Sequence, residues 1–158
     1  KITLNCGTGG PGPQLEKSLK LLEKLSGMKP TSTKSSKRIP TWSVRPGLEV
    51  GCRVTIRGKK AEEILKTLLA AKRNQLKKSC FDKNGSFGFG IHEYLDIPSI
   101  EYDPDIGIIG FEIAATLQRK GFRIKRRSIK SKKIPQSHKI EKEEAMEFMK
   151  NDYGVELI

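Results

Sequence analysis

Apolar and polar residues alternate over the first six positions, with Ile2, Leu4 and Cys6 on one side and Thr3 and Asn5 on the other. A period of two predicts a strand with one buried face and one polar face. The run GTGGPGP at 7–13 then breaks the pattern as a tight turn. Leu15, Leu19, Leu22 and Leu25 share a helical stripe, which predicts a helix over 14–26 stopped by Gly27. Residues 28–35 read as a short edge strand, since Pro30 has no amide to donate. Strict alternation returns at 49–57, with Val50, Cys52, Val54 and Ile56 inward and Arg53, Thr55 and Arg57 outward. A second helix is predicted over 59–78, burying Ala61, Ile64, Leu65, Leu68 and Leu76. Asn84-Gly85 is a hairpin signal. It leads into a strand over 86–91 with Phe87, Phe89 and Ile91 inward and a nearly bare outer side at Ser86, Gly88 and Gly90. A loop over 98–105 and a last strand over 109–117 follow, the strand turning Ile109, Phe111, Ile113, Ala115 and Leu117 inward. A final helix over 141–151 holds Ala145, Phe148 and Met149 and ends near Gly154.

The order β-α-β-β-α-β-β-α, with helices set among hairpins, predicts an α+β fold with a mostly antiparallel sheet. The 158 residues suit one domain, 1–158, with enough length to bury a core. Both long helices should pack on one sheet face. The other face would present Thr3, Asn5, Arg53, Thr55, Arg57 and the gap at Gly88 and Gly90. Such a face is polar, basic and partly flat. It suits an RNA minor groove, which is recognised by shape, phosphate and sugar hydroxyls.

Two stretches resist any period. Residues 34–47 carry Lys34, Lys37, Arg38 and Arg45, no acid, two prolines and the only tryptophan, Trp42. This loop has no local core to join and is expected to project. Trp42 either stacks on a nucleobase or folds back into the protein. Residues 119–139 carry ten cations and no acid, with little apolar pattern. They read as a basic arm without packed structure of its own, against the plainer reading of a solvated tail or localisation signal.

The charge balance sharpens this picture. Lys and Arg number 31 against 18 Asp and Glu, a net charge of +13. Residues 31–60 carry net +7 and residues 119–139 net +10, more than the whole excess. Charge concentrated in this way marks a footprint for a polyanion rather than general solubility.

Other chemistry fits poorly. GTGGPGP lacks the Gly-Lys-Ser/Thr ending of a phosphate loop and the spacing of a dinucleotide site, and Pro11 and Pro13 remove two donors. It reads as a strand-to-helix turn that at most touches an RNA backbone. Glu101, Asp103 and Asp105 match no calcium loop and read as a structural turn. His92 and His138 are far apart, with no triad signature around them. Cys6, Cys52 and Cys80 are odd in number and have no CxxC spacing, so Cys6 and Cys52 read as core residues of a reducing compartment. No apolar run approaches a membrane span and no signal sequence is visible. The chain opens at Lys1 without Met, directly in a strand, which implies that native residues precede it. Catalysis, cofactor, metal and membrane partner are therefore not expected.

Several stretches then resemble one family in order and spacing: GMKP (27–30), VGCRVTIRG (50–58), FDKNGSFGFGIHEYLDIP (81–98), YDPDIGIIGFE (102–112) and EKEEAMEFM (141–149). Together they resemble the universal large-subunit ribosomal protein five family, called eleven in eukaryotes, over essentially the whole chain. The basic segment after Leu117 and the final helix resemble the archaeal and eukaryotic branch. The resemblance implies a non-enzymatic protein of the large ribosomal subunit's central protuberance, found in the cytoplasm. It implies binding to 5S ribosomal RNA and large-subunit rRNA, beside a neighbouring 5S-binding ribosomal protein. It also implies a bridge to a small-subunit head protein, and contact with peptidyl-site transfer RNA through the loop 35–47. The plainer alternative is a free-standing RNA-binding or assembly factor on the same fold.

Residue by residue, the expected 5S surface is Thr3, Asn5, Gly7, Met28, Lys29, Arg53, Thr55, Arg57 and Gly88. The family's Asn on the first strand and Thr on the VTLR-like strand match Asn5 and Thr55. Its Gln in GQKP is Met28 here, which lacks the amide's hydrogen bonds. The expected transfer-RNA surface is Lys34, Ser35, Ser36, Lys37, Arg38, Trp42 and Arg45, with Trp42-Ser43 where the family has Phe-Gly. The expected rRNA arm uses Arg119, Lys120, Arg123, Lys125, Arg126, Arg127, Lys130, Lys132 and Lys133, with Phe122 as a possible stacking side chain. The alternation and the resemblance meet at Asn5 and Thr55.

Overall fold

The computed structural model describes residues 1–98 and 100–158. In chain order its elements are β1 (Ile2–Gly7), α1 (Pro13–Ser26), β2 (Thr31–Lys34), β3 (Glu49–Ile56), α2 (Lys59–Ala71), β4 (Gln75–Leu76), β5 (Ser86–Ile91), β6 (Phe111–Thr116), α3 (Arg123–Arg126), α4 (Lys142–Tyr153) and β7 (Glu156–Leu157). Five of the strands form one sheet in the order β2-β3-β1-β6-β5. Every neighbour pair in it is antiparallel, as the hairpin-rich order predicts.

The register stacks the inward residues in rows. Ile56, Ile2, Ala115 and Phe87 form one row, and Val54, Leu4, Ile113 and Phe89 the next. Cys52 and Cys6 face each other at the end of theirs. These side chains share one buried cluster with Leu15, Leu21 and Leu22 of α1 and with Leu65, Leu68 and Leu69 of α2. Each Leu, Ile or Phe so buried contributes roughly 1.5–3 kcal/mol, which fixes the sheet's inner face. Shifting any strand by one residue would turn its apolar set outward.

α1 begins at Pro13 and closes at Gly27, whose left-handed φ of 58° lets its N–H reach the Glu23 carbonyl at 2.7 Å. Leu19 and Leu25 are only half-buried, while Ser18 and Ser26 are buried. Each serine hydroxyl donates to the carbonyl four residues back, Gln14 at 2.8 Å and Leu22 at 2.6 Å. An apolar stripe rule passes over such self-satisfied serines.

The second helix is shorter than the expected 59–78. It closes at Ala71, where Arg73 and Asn74 take φ values of 56° and 54° and the Asn74 N–H turns back to Leu69. Asn tolerates this conformation, and the chain leaves the helix there. Leu76 is buried as expected, but from β4, which pairs in parallel with β7. The two-residue β7 is too short to leave a period in the sequence. Backbone bonds from Glu156 to Asn74 and from Ile158 to Leu76 fasten the chain end there.

The last strand of the sheet starts at Phe111 rather than 109. Gly110 lies so close to His92 that a Cβ would stand 2.5 Å from the His92 carbonyl oxygen. The Ile109 carbonyl accepts from Tyr94 instead of a ladder partner. The expected loop over 98–105 includes Ser99, which lies outside the described residues. Tyr94 is fully buried, and its hydroxyl accepts the Asp103 N–H at 3.0 Å. Asp103 pairs with Lys24 at 3.2 Å and accepts the Asp105 N–H, so this carboxylate works as a strut. Phe148 of α4 is 41% exposed and lies edge-on to Tyr153, while Ala145 and Met149 enter the core.

Candidate nucleic-acid interface

The sheet face opposite the helices is built from two registered rows. One runs Thr55, Thr3, Ala114, Gly88 and the other Arg53, Asn5, Glu112, Gly90, across β3, β1, β6 and β5. Thr31 of β2 extends the second row beyond Arg53. Arg53, Gly88, Gly90, Glu112 and Ala114 are exposed, and Thr3, Asn5 and Thr55 are half-buried. Five strands about 4.8 Å apart make this floor roughly 20 Å wide. Gly88 and Gly90 leave its β5 side as bare backbone. The Asn5 amide donates to the Glu112 carboxylate at 3.3 Å.

The remaining residues expected with this face lie at its margins. Arg57 follows the end of β3 and is exposed. Gly7 ends β1 opposite Gly51 and is exposed. Met28 and Lys29 lie on the connection into β2, exposed, with the Met28 backbone held by the Ser26 hydroxyl.

Residues 34–47 extend the β2–β3 hairpin, past a register irregularity between Thr33 and Lys34. The expectation of a loop without a local core is corrected. Ile39 and Val44 exchange backbone bonds around a turn of 3₁₀ helix at Pro40–Trp42, and Val44 is buried outside the main core cluster. Around that anchor Lys37, Arg38, Trp42 and Arg45 are exposed, as are Lys34 and Ser36, with Ser35 half-buried. Trp42 is 72% exposed, so it does not fold back.

The arm at 119–139 is tied at its base. The Arg119 guanidinium pairs with Glu144, and this hydrogen bond holds the Glu144 carboxyl below the usual carboxylate range. A His138 ring nitrogen lies 2.8 Å from the Lys120 carbonyl oxygen, and the His138 ring packs on Phe122 at 5.9 Å. Phe122 is therefore occupied within the arm. Between these ties, α3 and its neighbours present Lys120, Arg123, Lys125, Arg126, Arg127, Lys130, Lys132 and Lys133 to solvent. Arg123, Arg126 and Arg127 line an open basin of about 440 Å³. After burial, the charges of Arg57 and Arg126 help lower the pKa of the Lys1 amino group. The end of β3 and the arm thus meet at one basic corner.

Among the described residues the ion pairs are Lys24–Asp103, Lys34–Glu49 and Arg119–Glu144. Against 31 cations these leave most of the positive charge uncompensated within the protein. Among the described residues, no helix is long and apolar enough to cross a membrane.

The model of the C-terminal part of the ribosomal protein uL5 family matches residues 49–149. The chain belongs to that family. It is similar over its whole length to the large ribosomal subunit protein uL5 of Nanoarchaeum equitans, at 46% identity and 94% of that protein's length. The uL5 proteins of Sulfurisphaera tokodaii, 46% identical over all of this chain and 90% of theirs, and of Methanosphaera stadtmanae, 43% identical over 98% and 92%, are similar to it as well. The archaeal branch expected from the chain's C-terminal part is therefore the right one. As a member of the uL5 family the chain is a ribosomal protein, a structural class, and its place is the cytoplasmic ribosome. The open face, the loop and the arm are features of this family's fold in the present chain. Glu112, Ala114 and Thr31 complete the open face, and the sequence reading did not select them. The alternation at 109–117 carries the signal for the first two, because each residue between the inward Phe111, Ile113 and Ala115 must point outward.

Proposed function

We propose that this chain is a structural constituent of the large ribosomal subunit that binds 5S ribosomal RNA on the open face of its sheet. Cations at the margins and in the arm meet RNA phosphates and give affinity, and the polar rows give fit. The arm takes large-subunit rRNA. The loop at 35–47 presents Trp42 and its cations to peptidyl-site transfer RNA. The remaining surface serves the neighbouring 5S-binding protein and the bridge to the small-subunit head. The single observation that carries this reading is the open face itself, uncovered by any described element, with Thr3, Asn5, Arg53 and Thr55 in register. The naming of the archaeal relatives as large-subunit proteins supports it.

The test is to express tagged protein in an archaeal cell, sediment the lysate and sequence the RNA it retains. Co-sedimentation with large subunits and enrichment of 5S RNA are expected. Protein confined to light fractions with other RNAs would favour the free-standing assembly factor.

A further inference from the structure

We propose that Asn5 and Glu112 form a hydrogen-bond-acceptor subsite on the open face, taking a nucleoside donor group and refusing phosphate. The inference rests on the RNA-binding reading above and names what one row of that face recognises.

The Asn5 amide nitrogen donates to Glu112 Oε2 at 3.3 Å. That bond uses the Asn5 amide as a donor and leaves its Oδ1, together with Glu112 Oε1, as acceptors. Phosphodiester oxygens donate nothing, and a carboxylate repels them. A base amino group or a ribose hydroxyl donates to such a pair directly. Access is open from the β5 side. Glu112 pairs across the ladder with Gly90, and its neighbour Ala114 with Gly88, so no long side chain overhangs it. A Cβ built on Gly90 would find only the Phe111 carbonyl, at 4.0 Å. On the other side Asn5 pairs with Arg53, an exposed cation that can take the adjoining phosphate. The row therefore runs from a phosphate-seeking group to a donor-seeking group, a polarity that fixes which way the strand of RNA lies. In a protein of net charge +13, a lone carboxylate on this face opposes polyanion binding unless it receives a donor.

The experiment compares wild type, Glu112→Ala and Glu112→Gln for binding to 5S RNA and to an unrelated RNA of equal length. Thermal melts check the fold, which an exposed Glu should leave unchanged. Loss of a donor bond to a charged acceptor corresponds to a fall of about tenfold or more in 5S affinity for Glu112→Ala. Glu112→Gln, which keeps one carbonyl oxygen, should fall less. Affinity for the unrelated RNA should be unchanged or higher. Guanosine-to-inosine replacement removes an amino donor and 2′-deoxy replacement a hydroxyl. Whichever erases the gap between wild type and Glu112→Ala identifies the donor. Tighter binding of both RNAs by Glu112→Ala would overturn the proposal, because Glu112 would then be only a repulsive charge. A wild-type protein with no preference for 5S RNA would instead defeat the RNA reading beneath it.

Discussion

Thr55 shows how a single side chain can be assigned to a partner rather than to the fold. It is half-buried on the open face, opposite Thr3, while Val54 and Ile56 beside it are buried in the core. Thr55→Val keeps the β-branched shape and removes one hydroxyl. It should weaken 5S binding by about 1–2 kcal/mol and leave the melting midpoint where it was. A shifted midpoint with intact RNA binding would mean that the hydroxyl serves the fold. Asp103 is the opposite case. The hydrogen bond from Lys24 lowers its pKa below the ordinary 3.8, with a further contribution from the Asp105 amide. A depressed carboxyl adds stability above that ordinary value and loses it as pH falls through the lowered one. Wild type should therefore exceed Lys24→Met in stability at neutral pH, and the gap should close in acid. A gap that persists at pH 2 would show that Lys24 acts through packing. Alternation made Asn5, Arg53 and Thr55 legible in the sequence, because a period of two needs no knowledge of the partner strand. The bond between Asn5 and Glu112 was not legible, since it joins residues 107 positions apart and depends on register.

Among the elements, the loop at 34–47 has its own anchor in Val44 and its own backbone bonds. Function carried by its exposed side chains should therefore separate from the fold. Replacing Lys37, Arg38, Trp42 and Arg45 with Ala removes three charges and the aromatic ring but leaves Val44 and Ile39. Stability, 5S binding and incorporation into large subunits should stay near normal. Peptidyl-site transfer RNA should dissociate faster from the mutant ribosomes, by up to about 3 kcal/mol if stacking and phosphate contacts are both lost. Loss of 5S binding with unchanged transfer-RNA retention would assign the loop to the other RNA. The anchor was hidden in the sequence because a valine between two prolines has no periodic neighbours. The overlong second helix has a related cause. Leu76 continues the stripe of Leu65 and Leu68 by count, and only the turn at Arg73 and Asn74 moves it onto β4. Where a period ran through a whole element, as in β3 and β5, the expected and observed bounds differ by a residue at most.

At the scale of the molecule, the separation of charge from core was plain in the sequence, and its spatial outcome was not. The basic stretches 31–60 and 119–139 are far apart along the chain, yet Arg57 and Arg126 meet near Lys1. Few cations are neutralised inside the protein, so an RNA that binds here must supply the counter-charge. Each phosphate so paired releases condensed counterions, which makes affinity fall with salt. The most direct measurement is the dissociation constant for 5S RNA from 50 to 200 mM monovalent salt. About six phosphate contacts would lower affinity on the order of a thousandfold across that range. A flat response, or one equally shallow for wild type and for a variant lacking Arg53 and Arg57, would contradict the account.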